Sequence, residues 1–253
     1  MCILDLGTGS GANLRYLAPR LGPVQRWRLV DNDAALLADL PRALRNWAQA
    51  NRCSVEACDA RLSIQSSSFS AILDLDHRDL ATGFDQLTLG DVDLITASAL
   101  LDLVSHAWIE HLVQHCRRAS CAVLFALSYD GGTAWEPELA MDEQVRRLLN
   151  QHQGSDKGFG PAAGPQAVPH AAKCLQDAGF QVLQGRSDWL LNAADGALQA
   201  ALATDWAQAA AAVDPRKSAR ITEWLQQRLK LIQRRNSVLN VGHIDLFGMP
   251  RVG

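Results

Sequence analysis

Apolar residues recur along this chain in two rhythms, and the rhythms alternate. "CILDL" at 2–6 is a short apolar run of β type, closed by Gly7. "ANLRYLAPRL" follows with helical spacing at Leu14, Leu17 and Leu21. "RWRLVDND" predicts a second strand that ends in acids. "ALLADLPRALRNWAQA" predicts a helix with Leu36, Leu37, Leu40, Leu44 and Trp47 on one side, and Pro41 predicts a kink in it. "CSVEAC" and "FSAILDL" both read as strands around a "QSSS" turn, either as a hairpin or as one core strand with a decorated loop. "DVDLITA" is a strand after a turn at Gly90, "HAWIEHLVQHC" a helix and "CAVLFALS" a further strand.

Residues 129–165 break the rhythm. They are rich in Gly, Pro, Asp and Trp and include "NQHQGSDKGFGPAAGP", which predicts a long structureless loop of functional or mobile character. "AVPHAAKCLQDAGF" then predicts a helix closed by Gly179, and "QVLQGRSDW" a strand. From Ala193 to Arg235 the pattern is helical and alanine-rich, with an apolar stripe at Ile221, Trp224, Leu225, Leu229 and Ile232. "SVLNVGHIDLFGMP" is the last strand. Strands alternating with helices at this spacing predict an α/β, doubly wound, mostly parallel sheet with right-handed crossovers. The organisation expected is a ligand-binding half at 1–128, a lid at 129–165, and the remainder of the sheet at 166–253 carrying a helical insertion at 193–235.

Composition changes this picture little. With 253 residues, 48% hydrophobic and 20% charged, one large domain with a sizeable insertion is expected. A net charge of −3 provides no general attraction to nucleic acid or to an anionic membrane. No apolar run approaches ~20 residues, so no membrane span is expected. The six cysteines, at 2, 53, 58, 116, 121 and 174, form no C-x-x-C pair, so neither a zinc site nor any other metal is expected. Reduced thiols and a cytoplasmic location are the reading. The chain opens directly on a core strand, which predicts a start upstream of Met1; an intact mass from the native source matching Met1 would remove that expectation.

The stretch "LDLGTGSGA" at 4–12 carries the chemistry. Glycines between a strand and a helix let a ligand approach the backbone closely. Gly7, Gly9 and Ala12 satisfy the G-x-G-x-x-G/A pattern of dinucleotide folds, and Asp31 stands where such a fold binds ribose hydroxyls. An NAD(P)-dependent oxidoreductase is therefore open. Neither Tyr16 nor Tyr129 is followed by lysine four residues on, so the short-chain dehydrogenase relay is absent.

Asp5, Gly7, Gly9 and Gly11 together spell D-x-G-x-G-x-G, which resembles the first motif of the class I S-adenosylmethionine-dependent methyltransferases. The resemblance covers residues 2–128 and is looser beyond. It implies a Rossmann-like, mostly parallel seven-stranded sheet whose last strand is antiparallel. It implies that Asp5 helps hold the amino-acid end of the cofactor, with Thr8 in the same turn. It implies that Asp31, beside Asn32, accepts both ribose hydroxyls. "HRDLA" and "DVDLITASALLDLVS" are similar to the family's adenine-side and post-strand-four motifs. By that likeness Asp79 and Leu80 lie beside adenine, and Thr96, Ala97 and Ser98 line the cofactor floor. Were "SVEAC" the third core strand, Asp59 would replace Asp79. A non-catalytic S-adenosylmethionine-binding protein is the third open class.

The acceptor side is sought in the second half. Tyr129, Asp130, Trp135, Asn150, His152, Gln153, Asp156, Lys157, Phe159, Asp188 and Trp189 mix polar groups with aromatics in a Gly/Pro context, as a pocket lid does. Of these, Tyr129, Trp135, Asn150, His152, Lys157, Phe159 and Trp189 are the expected substrate contacts. His152 is the candidate general base, because imidazole takes a proton near neutral pH. His243 reads as a buried, hydrogen-bonded histidine rather than a catalyst. Arg216, Lys217, Arg220, Arg228, Lys230, Arg234 and Arg235 read as a solvated helix face rather than a nucleic-acid stripe, and no N-P-P-Y motif is present. A covered small-molecule acceptor, in a monomer or homodimer, is the partner expected.

Overall fold

The computed structural model describes residues 1–58 and 61–251. Its sheet begins with β1 (Cys2–Leu6), β2 (Val24–Asp31), β3 (Ser54–Cys58), β4 (Arg61–Gln65) and β5 (Ser70–His77). It continues with β6 (Leu94–Ser98), β7 (Ala122–Glu136), β8 (Phe180–Arg186), β9 (Trp189–Leu191) and β10 (Val238–Pro250). The spatial order is β3-β4-β5-β2-β1-β6-β7-β10-β8, and β9 pairs with β10. β5, β2, β1, β6 and β7 are mutually parallel. β10 runs antiparallel to β7 and to β8. Seven strands thus form the expected doubly wound α/β sheet, with the last strand of the chain antiparallel.

Three further strands depart from the expectation. β3 and β4 form an antiparallel hairpin that joins the edge at β5, and β5 is the strand parallel to β2. Asp79 therefore follows the third parallel strand; Asp59 lies outside the described residues. β9 is the other addition.

The helices are α1 (Ala12–Leu17), α2 (Ala34–Asn51), α3 (Leu80–Gly83), α4 (His106–Ala119), α5 (Asp142–Gln153), α6 (Ala167–Asp177), α7 (Gly196–Val213) and α8 (Ser218–Gln233). Period-two alternation along β1 sends its residues to opposite faces. Ile3 packs with Leu14, Leu17, Leu40 and Leu44 of α1 and α2. Leu4 and Leu6 pack in a second cluster with Ile109 and Leu112 of α4 and Leu175 of α6. Helices thus cover both faces. α2 runs through Pro41 as one element, with Asp33 as its N-cap; Leu36, placed on its buried side by the sequence pattern, is exposed.

The 129–165 segment is not a structureless loop. β7 continues to Glu136 because β10 pairs with it from Val123 to Glu136, through two register shifts. The outer half of this ribbon, with β9, holds a third apolar cluster. Val145, Leu148 and Leu149 of α5 meet Trp206 of α7, and Ile221 and Trp224 of α8. This cap stands on the outer halves of β7 and β10.

Arg228 corrects the reading of α8 as carrying a wholly solvated basic set. Its side chain is fully buried. It pairs with Asp142 and donates through Nη1 to Pro137 O at 2.7 Å. Its guanidinium lies 4.7 Å from the Trp135 ring centre. Asp142 also accepts from Trp224 Nε1 (2.7 Å) and from Leu139 N–H (2.7 Å), so three donor groups converge on one carboxylate. Among the described residues, no helix is long and apolar enough to cross a membrane.

Candidate functional site

β1 ends on Leu6 and the chain turns through three glycines of positive φ: Gly7 (66°), Gly9 (52°) and Gly11 (77°). Gly7 and Thr8 N–H donate to Val30 O at 2.9 and 3.1 Å, which fixes the turn on β2. Gly9 N–H donates to Asp31 Oδ2 at 2.7 Å, and Asp33 N–H donates to Asp31 Oδ1 at 2.9 Å. The Asp31 carboxylate, at the end of β2, is thus oriented by two backbone donors and keeps further acceptor directions free. A Cβ on Gly7 would contact Leu100, and one on Gly11 would contact Leu40. A Cβ on Gly9 would enter open space. Of the three, Gly9 is the glycine that leaves room for something other than protein.

Asp5 is fully buried beside this turn. Its Oδ1 accepts from Asn13 Nδ2 at 2.7 Å, and the same amide donates to Thr96 Oγ1 at 3.0 Å. Thr96 in turn donates to Leu124 O at 2.8 Å. The second oxygen, Asp5 Oδ2, and the buried Thr8 hydroxyl close no well-aligned hydrogen bond, although the Thr8 side chain lies near enough to act on the carboxylate. Burial pushes the Asp5 carboxyl up to about 6; the neighbouring Thr8 and Asn13 side chains act against the rise, and Asp31 adds to it. A buried carboxylate oxygen without a well-aligned donor is costly unless a ligand completes it. Sequence reading missed Asn13; its one signal was an asparagine in the first turn of a helix, where asparagine is a weak former.

Asn32 is exposed, and its carbonyl lies 3.0 Å from His77 Nε2. Asp79 is the N-cap of α3: its carboxylate accepts from Ala81 N–H (2.8 Å) and Thr82 Oγ1 (3.1 Å). Leu80 is buried in the core, and its carbonyl accepts from Trp108 Nε1 at 2.9 Å. Ala97 is buried at the end of β6, followed by half-buried Ser98 and by Ala99 with φ 53°.

A cavity of about 160 Å³ lies between the segment after β6, the middle of β7 and the cap. Of the expected substrate contacts, Tyr129 and Trp189 line it, as does Gln153. The others lie elsewhere. Trp135 is buried in the cap core, 5.9 Å from Trp206 between ring centres. Asn150 accepts from the Tyr129 hydroxyl at 2.9 Å and donates to Gly131 O. Phe159 packs edge-on against Trp108. Lys157 donates to Ser155 Oγ at 3.0 Å and sits 3.4 Å from His152 Nδ1. His152 is not among the cavity's lining residues; burial and the Lys157 ammonium lower its pKa. Asp156 spends one oxygen on the N–H groups of Gly158 and Gly160, a turn-holding role. Asp130 and Asp188 pair with Arg186.

The cavity instead presents Asp102 and His243. Asp102 is buried without a cationic partner, and burial raises its carboxyl to about 6. The His243 Nδ1 is 3.1 Å from Val241 O, so Nδ1–H donates there and Nε2 is left as the acceptor nitrogen. Burial also lowers the His243 pKa, which keeps the ring neutral at pH 7. Its ring packs against Trp189 and, more distantly, Tyr129. The sequence signal for Asp102 was an acid inside the apolar run "LLDLV"; His243 is buried and hydrogen-bonded, as read, but it lines the cavity, a place that the reading of it as no catalyst did not foresee.

No protein-family model matches the chain, and no curated protein matches it in sequence. Solved structures with a related arrangement include a SAM-dependent methyltransferase from Geobacter sulfurreducens in complex with S-adenosyl-L-homocysteine. It is 16% identical, with a TM-score of 0.45 over 99% of this chain and 84% of that one. The cyclopropane synthase MmaA2 from Mycobacterium tuberculosis is 13% identical, with a TM-score of 0.46 over 97% and 78%. A SAM-dependent methyltransferase from Thiobacillus denitrificans, also in complex with S-adenosyl-L-homocysteine, is 16% identical, with a TM-score of 0.43 over 99% and 85%. Likeness at this level carries no functional conclusion, and the reading below rests on the residues.

Proposed function

We propose that this protein binds S-adenosylmethionine at the β1 turn and transfers its methyl group to a small-molecule acceptor held under the cap. The observation that carries the reading is the pairing of a buried Asp5 oxygen that lacks a well-aligned donor with an open Gly9. An anionic acceptor buried beside a bare turn suits a ligand that brings an ammonium group, as the amino-acid end of this cofactor does. A pyrophosphate brings negative charge, which Asp5 would oppose. Asp5, Thr8 and Gly9 would hold the amino-acid side, and Asp31 the ribose. Asp79 and Leu80 would stand beside the adenine, with Ala97 and Ser98 beneath.

The bound sulfonium supplies an activated methyl group with a neutral leaving group. What the chain must add is alignment and exclusion of water. The cap, the segment after β6 and the middle of β7 enclose the acceptor. Where that acceptor arrives protonated, as a hydroxyl does, His243 Nε2 would take the proton, with the Asp130, Asp188 and Asp245 carboxylates favouring the cation formed. His243→Gln is therefore expected to lower turnover of a hydroxyl acceptor roughly 10²-fold or more while leaving S-adenosylhomocysteine affinity unchanged. Radiolabelled methyl transfer to a panel of small alcohols and amines, with calorimetry in parallel, checks both halves.

A thermal-shift comparison tests the function itself. At a hundredfold excess over Kd a ligand stabilises by about 2.7 kcal/mol, or roughly 5–10 °C for a domain of this size. S-adenosylhomocysteine should give that rise and NAD⁺ none; the reverse pattern would replace the reading with an oxidoreductase.

A further inference from the structure

Two histidines of α4, neither of them a lining residue of the cavity, face one carboxylate oxygen. His111 Nε2 is 3.0 Å and His115 Nε2 is 3.3 Å from Asp85 Oδ1, which belongs to the single helical turn after α3. The two rings are one helical turn apart, with centres 4.4 Å apart and planes nearly perpendicular. The Phe84 ring packs edge-on against both.

The tautomer of His115 is set. Its Nδ1 is 2.9 Å from His111 O, and since a carbonyl only accepts, Nδ1 carries the proton. A neutral His115 would then turn a bare Nε2 lone pair toward a carboxylate oxygen, which repels it. The arrangement is satisfied only if Nε2 bears a second proton or meets a cation. One divalent ion among the three atoms meets that need and engages the His111 nitrogen as well.

For a tetrahedral ion with bonds of 2.0–2.1 Å, donor atoms lie about 3.3–3.4 Å apart; the His115–Asp85 separation meets this, the His111–Asp85 separation is 3.0 Å, and all three ligand atoms lie within 4.8 Å of one another. A ligating histidine that donates its other N–H to a backbone carbonyl is the usual outer arrangement of such sites.

We propose that Asp85, His111 and His115 form a site for a divalent transition metal of zinc type, tying the turn after α3 to α4. Imidazole and carboxylate donors suit this class, and three protein ligands leave a fourth position open to water. The C-x-x-C criterion is blind to such a site, because its nitrogen donors come from a histidine pair at i, i+4. A neighbouring set, Glu110, His170 and Cys174, differs by its thiol and serves as the internal comparison.

The test is a titration of chelator-treated protein with Co²⁺, followed by competition with Zn²⁺. Wild type should take up one Co²⁺ with visible d–d bands and no sulfur-to-metal charge-transfer band. His115→Gln and Asp85→Asn should each weaken uptake by on the order of tenfold or more. Both residues are at the surface or partly so, and unchanged melting of the metal-free variants serves as the folding control. Cys174→Ser should bind as wild type does. Absence of saturable uptake by wild type, undiminished uptake in both Asp85 and His115 variants, or loss in Cys174→Ser would each overturn the proposal.

Discussion

Asp5→Asn is expected to make the ligand-free protein more stable and its cofactor site nearly useless. The native carboxyl titrates at about 6 against an ordinary value of 3.8, because it is buried. Folding therefore favours the protonated form. Stability from this group is greatest below about 3.8, falls as pH rises toward 6, and the full cost stands at pH 7. That rise is worth roughly 3 kcal/mol at 1.36 kcal/mol per decade, as an order of magnitude. Asparagine keeps an oxygen for Asn13 and carries no charge, so chemical unfolding at pH 7 should show a gain approaching that size. Affinity for S-adenosylhomocysteine should fall about 10- to 150-fold, the loss of one charged hydrogen bond of 1.5–3 kcal/mol. Opposite signs in the two measurements identify a residue kept for binding at the expense of stability. A variant that is both less stable and fully competent would contradict the assignment.

Arg228→Ala should have the largest effect on stability, a loss of about 3–5 kcal/mol. The side chain is fully buried in the cap, and its removal leaves the largely buried Asp142 carboxylate without its cation. It also leaves Pro137 O without its donor and strips the guanidinium from the Trp135 face. Asp142 retains only the Trp224 and Leu139 donors. Denaturant unfolding checks the size. Arg220→Ala, an exposed member of the same basic set, should change stability by no more than about 0.5 kcal/mol. Equal effects at the two positions would mean that the Asp142 network does not organise the cap.

The parallel half of the sheet was legible because each strand ends where its apolar run does. Gly7 closes β1, and the acids of "LVDND" close β2. β4, "RLSIQ", was not read as a strand, so the hairpin considered between "CSVEAC" and "FSAILDL" gave way to pairings of β3 and of β5 with β4, because pairing is decided by neighbours rather than by the run itself. The end of β7 was misread for the same reason. "YDGGTAWE" looks like loop chemistry, and it is strand because β10 supplies partners along its length. Gly242 shows the fit: a Cβ there would fall 2.2 Å from Asp130 Oδ1. α5 was hidden inside a stretch read for its glycines and polar residues, although Val145, Leu148 and Leu149 carry helical spacing. In the site, the turn and its acids could be read because they are contiguous. Asn13, Asp102 and His243 could not, since they reach their positions only through packing between elements distant in sequence.

The most direct measurement is the affinity for S-adenosylhomocysteine, by calorimetry, from pH 5 to 8. An ammonium group needs the ionised form of Asp5, and that form is depleted below about 6. Binding should be flat from pH 7 to 8 and weaken toward tenfold per unit as pH drops below 6, with a proton released on binding; in Asp5→Asn this dependence should vanish. Affinity in the wild type that ignores pH across this range, or heat with NAD⁺ and none with S-adenosylhomocysteine, would contradict the account.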